Sequence, residues 1–152
     1  MSWLAAIRRY LVAVSLGNLL WETAQLPLYT LWRAGTPATI TAAVLHCTAG
    51  DVLIAALTLM AALVVCGSSD WPRAGFARVA LTTIAFGAGY TIYSEYMNTV
   101  VRQSWAYAEL MPRLPWIGTG LAPLAQWLVV PPSALAWACR PGGSASRSWR
   151  AV

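Results

Sequence analysis

The chain has 152 residues, 59% of them hydrophobic and only 10% charged, and its net charge of +5 is carried by ten arginines and no lysine. A soluble domain usually carries about 25% charged residues. That balance, with a mean hydropathy of +0.58, argues against an ordinary soluble enzyme. A nucleic-acid-binding module is also a poor description, because the arginines lie at the ends of apolar runs and in the tail, where topology signals and lipid headgroup contacts account for them.

The first apolar run is expected to span a membrane from about Tyr10 to Trp32, flanked by Arg8, Arg9 and Arg33. Arg8-Arg9-Tyr10-Leu11 faintly resembles a twin-arginine signal. No small-residue cleavage site follows it and Glu22 interrupts the region, so an uncleaved first span is expected. In the tight connection that follows, Thr36 is placed to cap the next helix, with Pro37 at its first position.

The second span is expected over about Ala38 to Cys66, and Gly67 to Gly75 has the composition of a turn. The third span is expected over Phe76 to Val101. Between Arg102 and Pro115, Trp105, Tyr107, Leu110 and Met111 predict a short helix lying at the membrane interface. The fourth span is expected from near Leu114 to Cys139, interrupted by Pro123 and Pro131-Pro132, which leaves continuous, kinked and re-entrant forms open.

The fold class is therefore an all-α integral membrane protein with four transmembrane helices, short loops and one interfacial helix. Residues 1–139 form a single membrane domain, and 140–152 form a basic, disordered tail. With the N-terminus inside, Arg8, Arg9, Arg73, Arg78, Arg140, Arg147 and Arg150 are cytoplasmic, against Arg33, Arg102 and Arg113 outside. This balance predicts both termini in the cytoplasm of a multi-pass inner-membrane protein.

Within these spans lie Glu22, Asp51, Glu95 and the single histidine, His46, all in the middle-to-outer zone under this topology. Carboxyl groups are costly in hydrocarbon and need a partner, a proton or a watery cavity, so these four are the candidate catalytic residues. Glu22, Gln25 and Tyr29 follow i, i+3, i+7 on one helix face beside Trp21. Thr91, Glu95, Asn98 and Arg102 form a second stripe, with Gly87 and Ser94 on it and Phe86, Tyr90 and Tyr93 on the other side. Substrate contacts are expected from Trp21, Gln25, Tyr29, Thr91, Asn98, Arg102 and Gln126. His46 and Asp51 are about 140° apart around their helix, so they would enter a common interior from two sides. Cys47 shares a face with Asp51. Structural alternatives are a hydrogen-bonded helix seam at Glu22 and neutralisation of Glu95 by Arg102 or Asn98.

Nine tryptophans are spread along the chain. Trp3, Trp32, Trp71, Trp105, Trp116 and Trp149 fall at or beyond span ends, as an aromatic belt requires, whereas Trp21, Trp127 and Trp137 lie within spans. Cys47, Cys66 and Cys139 have neither disulfide nor metal-type spacing, so no metal and no cofactor is expected. Phosphate-loop, nucleophile-elbow and HExxH motifs do not occur.

Three functions fit this pattern. The first is proton-linked chemistry on, or handling of, a lipophilic small molecule such as an isoprenoid- or sterol-like lipid, including an intramembrane acid/base isomerase or cyclase. Asn18-x-x-Trp21-Glu22 resembles an Asn-x-x-Trp-Glu stretch of the membrane-bound terpene cyclases of meroterpenoid pathways, over five residues of a chain shorter than theirs. That resemblance implies a lipophilic substrate and an acid at Glu22. The second function is an oligomeric proton-coupled transporter or channel. The third is a non-catalytic subunit or assembly factor of a membrane complex. The expected partners are membrane lipids and a lipophilic small molecule, with no nucleic acid and with homo-oligomerisation open.

Overall fold

A computed structural model describes residues 2–140, so the tail expected to be disordered lies, but for Arg140, outside the described residues. The described residues are all-α: α1 (Trp3–Gln25), α2 (Leu31–Ala34), α3 (Pro37–Cys66), α4 (Phe76–Tyr96) and α5 (Leu121–Ala138). A 3-10 turn covers Leu26–Leu28 and a π turn covers Met97–Val101.

Local chemistry sets most of these limits. Ser2 caps α1 by accepting from Ala5 N at 3.3 Å. Thr36 caps α3 by accepting from Thr39 N at 3.2 Å, with Pro37 at the first position, as its sequence predicts. Pro27 lacks an N–H, so α1 stops at Gln25 and passes into the 3-10 turn. The first helix thus starts earlier than expected and does not run on to Trp32. Gly75 enters α4 with φ of +75°, a left-handed conformation that suits glycine.

Two further expectations are corrected. Residues 102–120 contain no helix, so the interfacial helix is absent. This segment folds back over the end of the molecule instead. It is held to the turn after α1 by Thr30 N donating to Ala106 O (3.0 Å) and Ala108 N donating to Leu28 O (2.9 Å). The last helix begins at Leu121 rather than near Leu114. Pro123 lies in its first turn, where a missing N–H costs nothing, and Pro131-Pro132 sits inside a continuous helix.

The four long helices pack in a ring: α1 lies against α3 and α5, and α4 lies against the same two. One half of the ring is dry. Ala6, Tyr10 and Val14 of α1 meet Ala55, Leu59 and Ala62 of α3, Val79 of α4, and Ala134, Leu135 and Ala138 of α5. Trp71 joins this core from the loop after α3, so it is a packing residue and not a belt residue. Close approach is built in where α4 meets α5: the Trp127 ring lies against Gly87, and a Cβ there would meet Trp127 Cε3 at 2.0 Å.

The helices α3 and α5 are long and apolar enough to cross a membrane. On α3 the apolar residues are not a hidden core. Leu53, Leu57, Met60, Val64 and Val65 all point outward, with Val64 84% exposed.

Candidate functional site

The other half of the ring is open and polar. The C-terminal end of α1, the N-terminal half of α3, the C-terminal end of α4 and the first turns of α5 surround a cavity of about 420 Å³. Adjacent helices must therefore run antiparallel. Glu22, Gln25, Tyr29, His46, Asp51, Thr91, Glu95, Asn98, Arg102 and Gln126 all line it. Trp21 does not: it faces a separate outer groove between α1 and α5, and its indole N–H donates to Ala122 O at 3.2 Å.

Gln126 ties three helices together. Its Nε2 donates to Asp51 Oδ2 at 2.7 Å and to Asn18 Oδ1 at 3.2 Å, so one buried amide joins α5 to α3 and α1. Gln25 Nε2 donates to Glu22 Oε1 at 2.7 Å across one turn of α1. Glu22 on α1 and Asp51 on α3 line the cavity together, and each carboxyl accepts from a glutamine, Glu22 from Gln25 and Asp51 from Gln126.

Glu95 occupies the other wall. Its Oε2 accepts from the Tyr107 hydroxyl, whose oxygen in turn accepts from Gly120 N at 3.0 Å. The Tyr107 ring also packs against Tyr29, with ring centroids 5.6 Å apart, and under the Arg113 guanidinium at 5.2 Å. Burial, and then donation to Glu95, push the Tyr107 phenol above its ordinary range, so it remains a proton donor. Trp105 also lines the cavity, with its indole N–H buried.

The polar stripe of α4 is placed as its spacing predicts, but its pairing differs. Asn98 Nδ2 donates back to Ser94 O at 2.9 Å, and Arg102 is exposed at the cavity rim, so Tyr107 takes the role expected of Asn98 or Arg102. His46 is also exposed at the rim. Tyr90, expected on the opposite side of α4, lines the cavity as well.

Sequence reasoning missed Tyr107, Trp105 and Asn18 as contributors. Tyr107 and Trp105 lie in an irregular loop, where no periodicity reveals which way a side chain turns. Asn18 precedes Glu22 by one helical turn, a signal that was present in the spacing.

Among the described residues, two fully buried polar atoms of the cavity-lining side chains have no hydrogen-bond partner: Gln25 Oε1 and Trp105 Nε1. Among the described residues no group of three or more His, Cys, Asp or Glu side chains is arranged to hold a metal ion. The chain matches no protein-family model, no curated protein and no solved structure.

Proposed function

We propose that this is a four-span inner-membrane protein, with both termini cytoplasmic, that handles a lipophilic small molecule in the cavity by means of a proton held between Glu22 and Asp51. The observation that carries this reading is the meeting of Glu22 on α1, Asp51 on α3 and Gln126 on α5 at one cavity wall, opposite Glu95. Three carboxyls brought to one cavity are costly to maintain in hydrocarbon, and intramembrane ionisable residues mark proton or substrate paths. The outward apolar faces of α3 and α5 and the antiparallel ring support the four-span arrangement.

In this reading one member of the Glu22/Asp51 pair carries the proton and its partner accepts the hydrogen bond. Gln25 and Gln126 fix the pair from either side. The pair can give that proton to a bound lipophile, or take one from it, without exposing either group to hydrocarbon. Tyr29, Tyr90 and Trp127 supply apolar and π surface to the rest of the molecule. An isoprenoid- or sterol-like body suits such walls.

Mass spectrometry of lipids retained by protein purified in a mild detergent tests the reading. A distinct lipophile is expected in the wild type, and it should be lost or chemically altered in Glu22→Gln and in Asp51→Asn. Equal retention of bulk phospholipid alone by all three proteins would remove the proposal.

A further inference from the structure

The walls of the cavity differ in how far they reach the outside. Those built by α1 and α5 are closed: Gln25, Pro123, Gln126 and Trp127 are buried, and Glu22 and Tyr29 are half-buried. The lining residues that are exposed are His46 on α3, Tyr90 on α4, and Arg102 and Ser104 just beyond α4. A residue that belongs both to the wall and to the outer surface marks an edge of the opening. The cavity therefore opens between α3 and α4.

Depth gives this opening its direction. Arg102 and Ser104 lie at the end of the ring. Tyr90 precedes Arg102 by 12 residues, which sets it roughly 18 Å further down α4. His46 follows Pro37 by nine residues and lies roughly 14 Å into α3. In the four-span arrangement both depths fall within a hydrocarbon layer about 30 Å thick. The opening is thus a slot along the side of the ring. An exposed imidazole at that depth is costly unless it borders a polar space, and the slot supplies one. Gly50 widens the slot. It shares a face of α3 with His46 at i+4, lines the cavity, and lies roughly 20 Å from Pro37, at the level of Tyr90. A Cβ at Gly50 would meet no atom within 4 Å, whereas Gly87 is covered by Trp127. Glycine is unfavourable inside a helix, and no close neighbour requires it at position 50. What it provides is open space.

We infer that the lipophile enters and leaves sideways through this slot between α3 and α4, directly from the bilayer, and that Gly50 sets the width of what passes. The inference rests on the proposed lipophile site and four-span arrangement, and it adds the source of the ligand: a molecule dissolved in the membrane, not one delivered from water. Its polar end passes His46 and Ser94 toward Asp51 and Glu95, while its apolar body follows against Tyr90.

The test adds a diazirine-bearing farnesol to the protein in nanodiscs, with flash irradiation at increasing delays and peptide mapping of adducts on Tyr29 and Trp105 inside the cavity. Gly50→Leu fills space that no atom occupies and replaces glycine with a better helix former, so its Tm should match or exceed that of the wild type. Its cavity adducts are expected to accumulate about tenfold more slowly, toward a similar plateau. Gly89→Leu is the control: a Cβ there also meets nothing within 4 Å, but the residue lies on α4 outside the cavity, and the wild-type rate is expected. Ser104→Trp obstructs the end of the ring and should likewise leave the rate unchanged. A wild-type rate in Gly50→Leu, or slowing by Ser104→Trp in its place, would overturn lateral entry while leaving the lipophile site standing. A lowered plateau reached at the wild-type rate would also overturn it, because Gly50 would then belong to the binding wall alone. Absence of cavity adducts in the wild type would overturn both the inference and the site.

Discussion

Tyr107 shows how one side chain can hold a site together from outside the helices that carry it. It donates to Glu95, accepts from Gly120 N, and stacks on Tyr29, so it links α4, the start of α5 and the turn after α1. Replacing it with Phe keeps the ring contacts and removes both hydrogen bonds. A hydrogen bond contributes about 0.5–1.5 kcal/mol net, so Tyr107→Phe is expected to lower the Tm in detergent and loosen segment 102–120, as read by hydrogen exchange of the Thr30 and Ala108 amides, which donate to Ala106 O and Leu28 O. An unchanged Tm and exchange pattern would show that the Glu95 contact does not anchor the segment. Tyr10 is the opposite case: it is fully buried in the dry half, and its hydroxyl has no partner. Tyr10→Phe removes an unsatisfied polar atom without altering shape, so the Tm should hold or rise. A fall would mean that the hydroxyl has an acceptor.

At the scale of the elements, the contact between α4 and α5 depends on the absence of a side chain. Gly87 lets the Trp127 ring lie directly on the α4 backbone, and the same ring forms part of the cavity wall. Gly87→Ala must displace Trp127, at a cost of about 1–3 kcal/mol from overpacking. Both a lower Tm and altered tryptophan emission are expected; retention of both would show that α4 and α5 can separate freely. How far these elements were readable from the sequence follows from the same physics. The Thr36–Pro37 start of α3 was legible because capping is local chemistry. The stripes through Glu22 and Glu95 were legible because helical spacing alone decides which residues share a face. Pro27 ended α1 early, whereas Pro131-Pro132 did not break α5, because neighbouring packing decides whether a helix survives a lost N–H. The path of residues 102–120 was not legible: it depends on hydrogen bonds to Leu28 and Thr30, far away in sequence, and on no periodic pattern.

For the whole molecule, the division of labour along the ring axis is the main result. At one end, small and aliphatic residues from all four long helices close a dry core. At the other, the same helices separate around carboxyl, amide and phenol groups that hold one another in place. Such a division lets a small chain keep an open polar cavity without losing its fold, because the dry end supplies the packing that the open end lacks. The apolar groove between α1 and α5, lined by Ala13, Gly17 and Trp137, lies outside the ring and carries none of the carboxyls. Photo-crosslinking with a diazirine-bearing isoprenoid lipid, followed by peptide mapping of the adducts, distinguishes the polar cavity from this groove. If the cavity is the lipophile site, adducts concentrate on Tyr29, Tyr90, Trp105 and Trp127 and are diminished by Glu22→Gln. Adducts confined to the outer groove, or spread over the outward face of α3 as for bulk lipid, would contradict it.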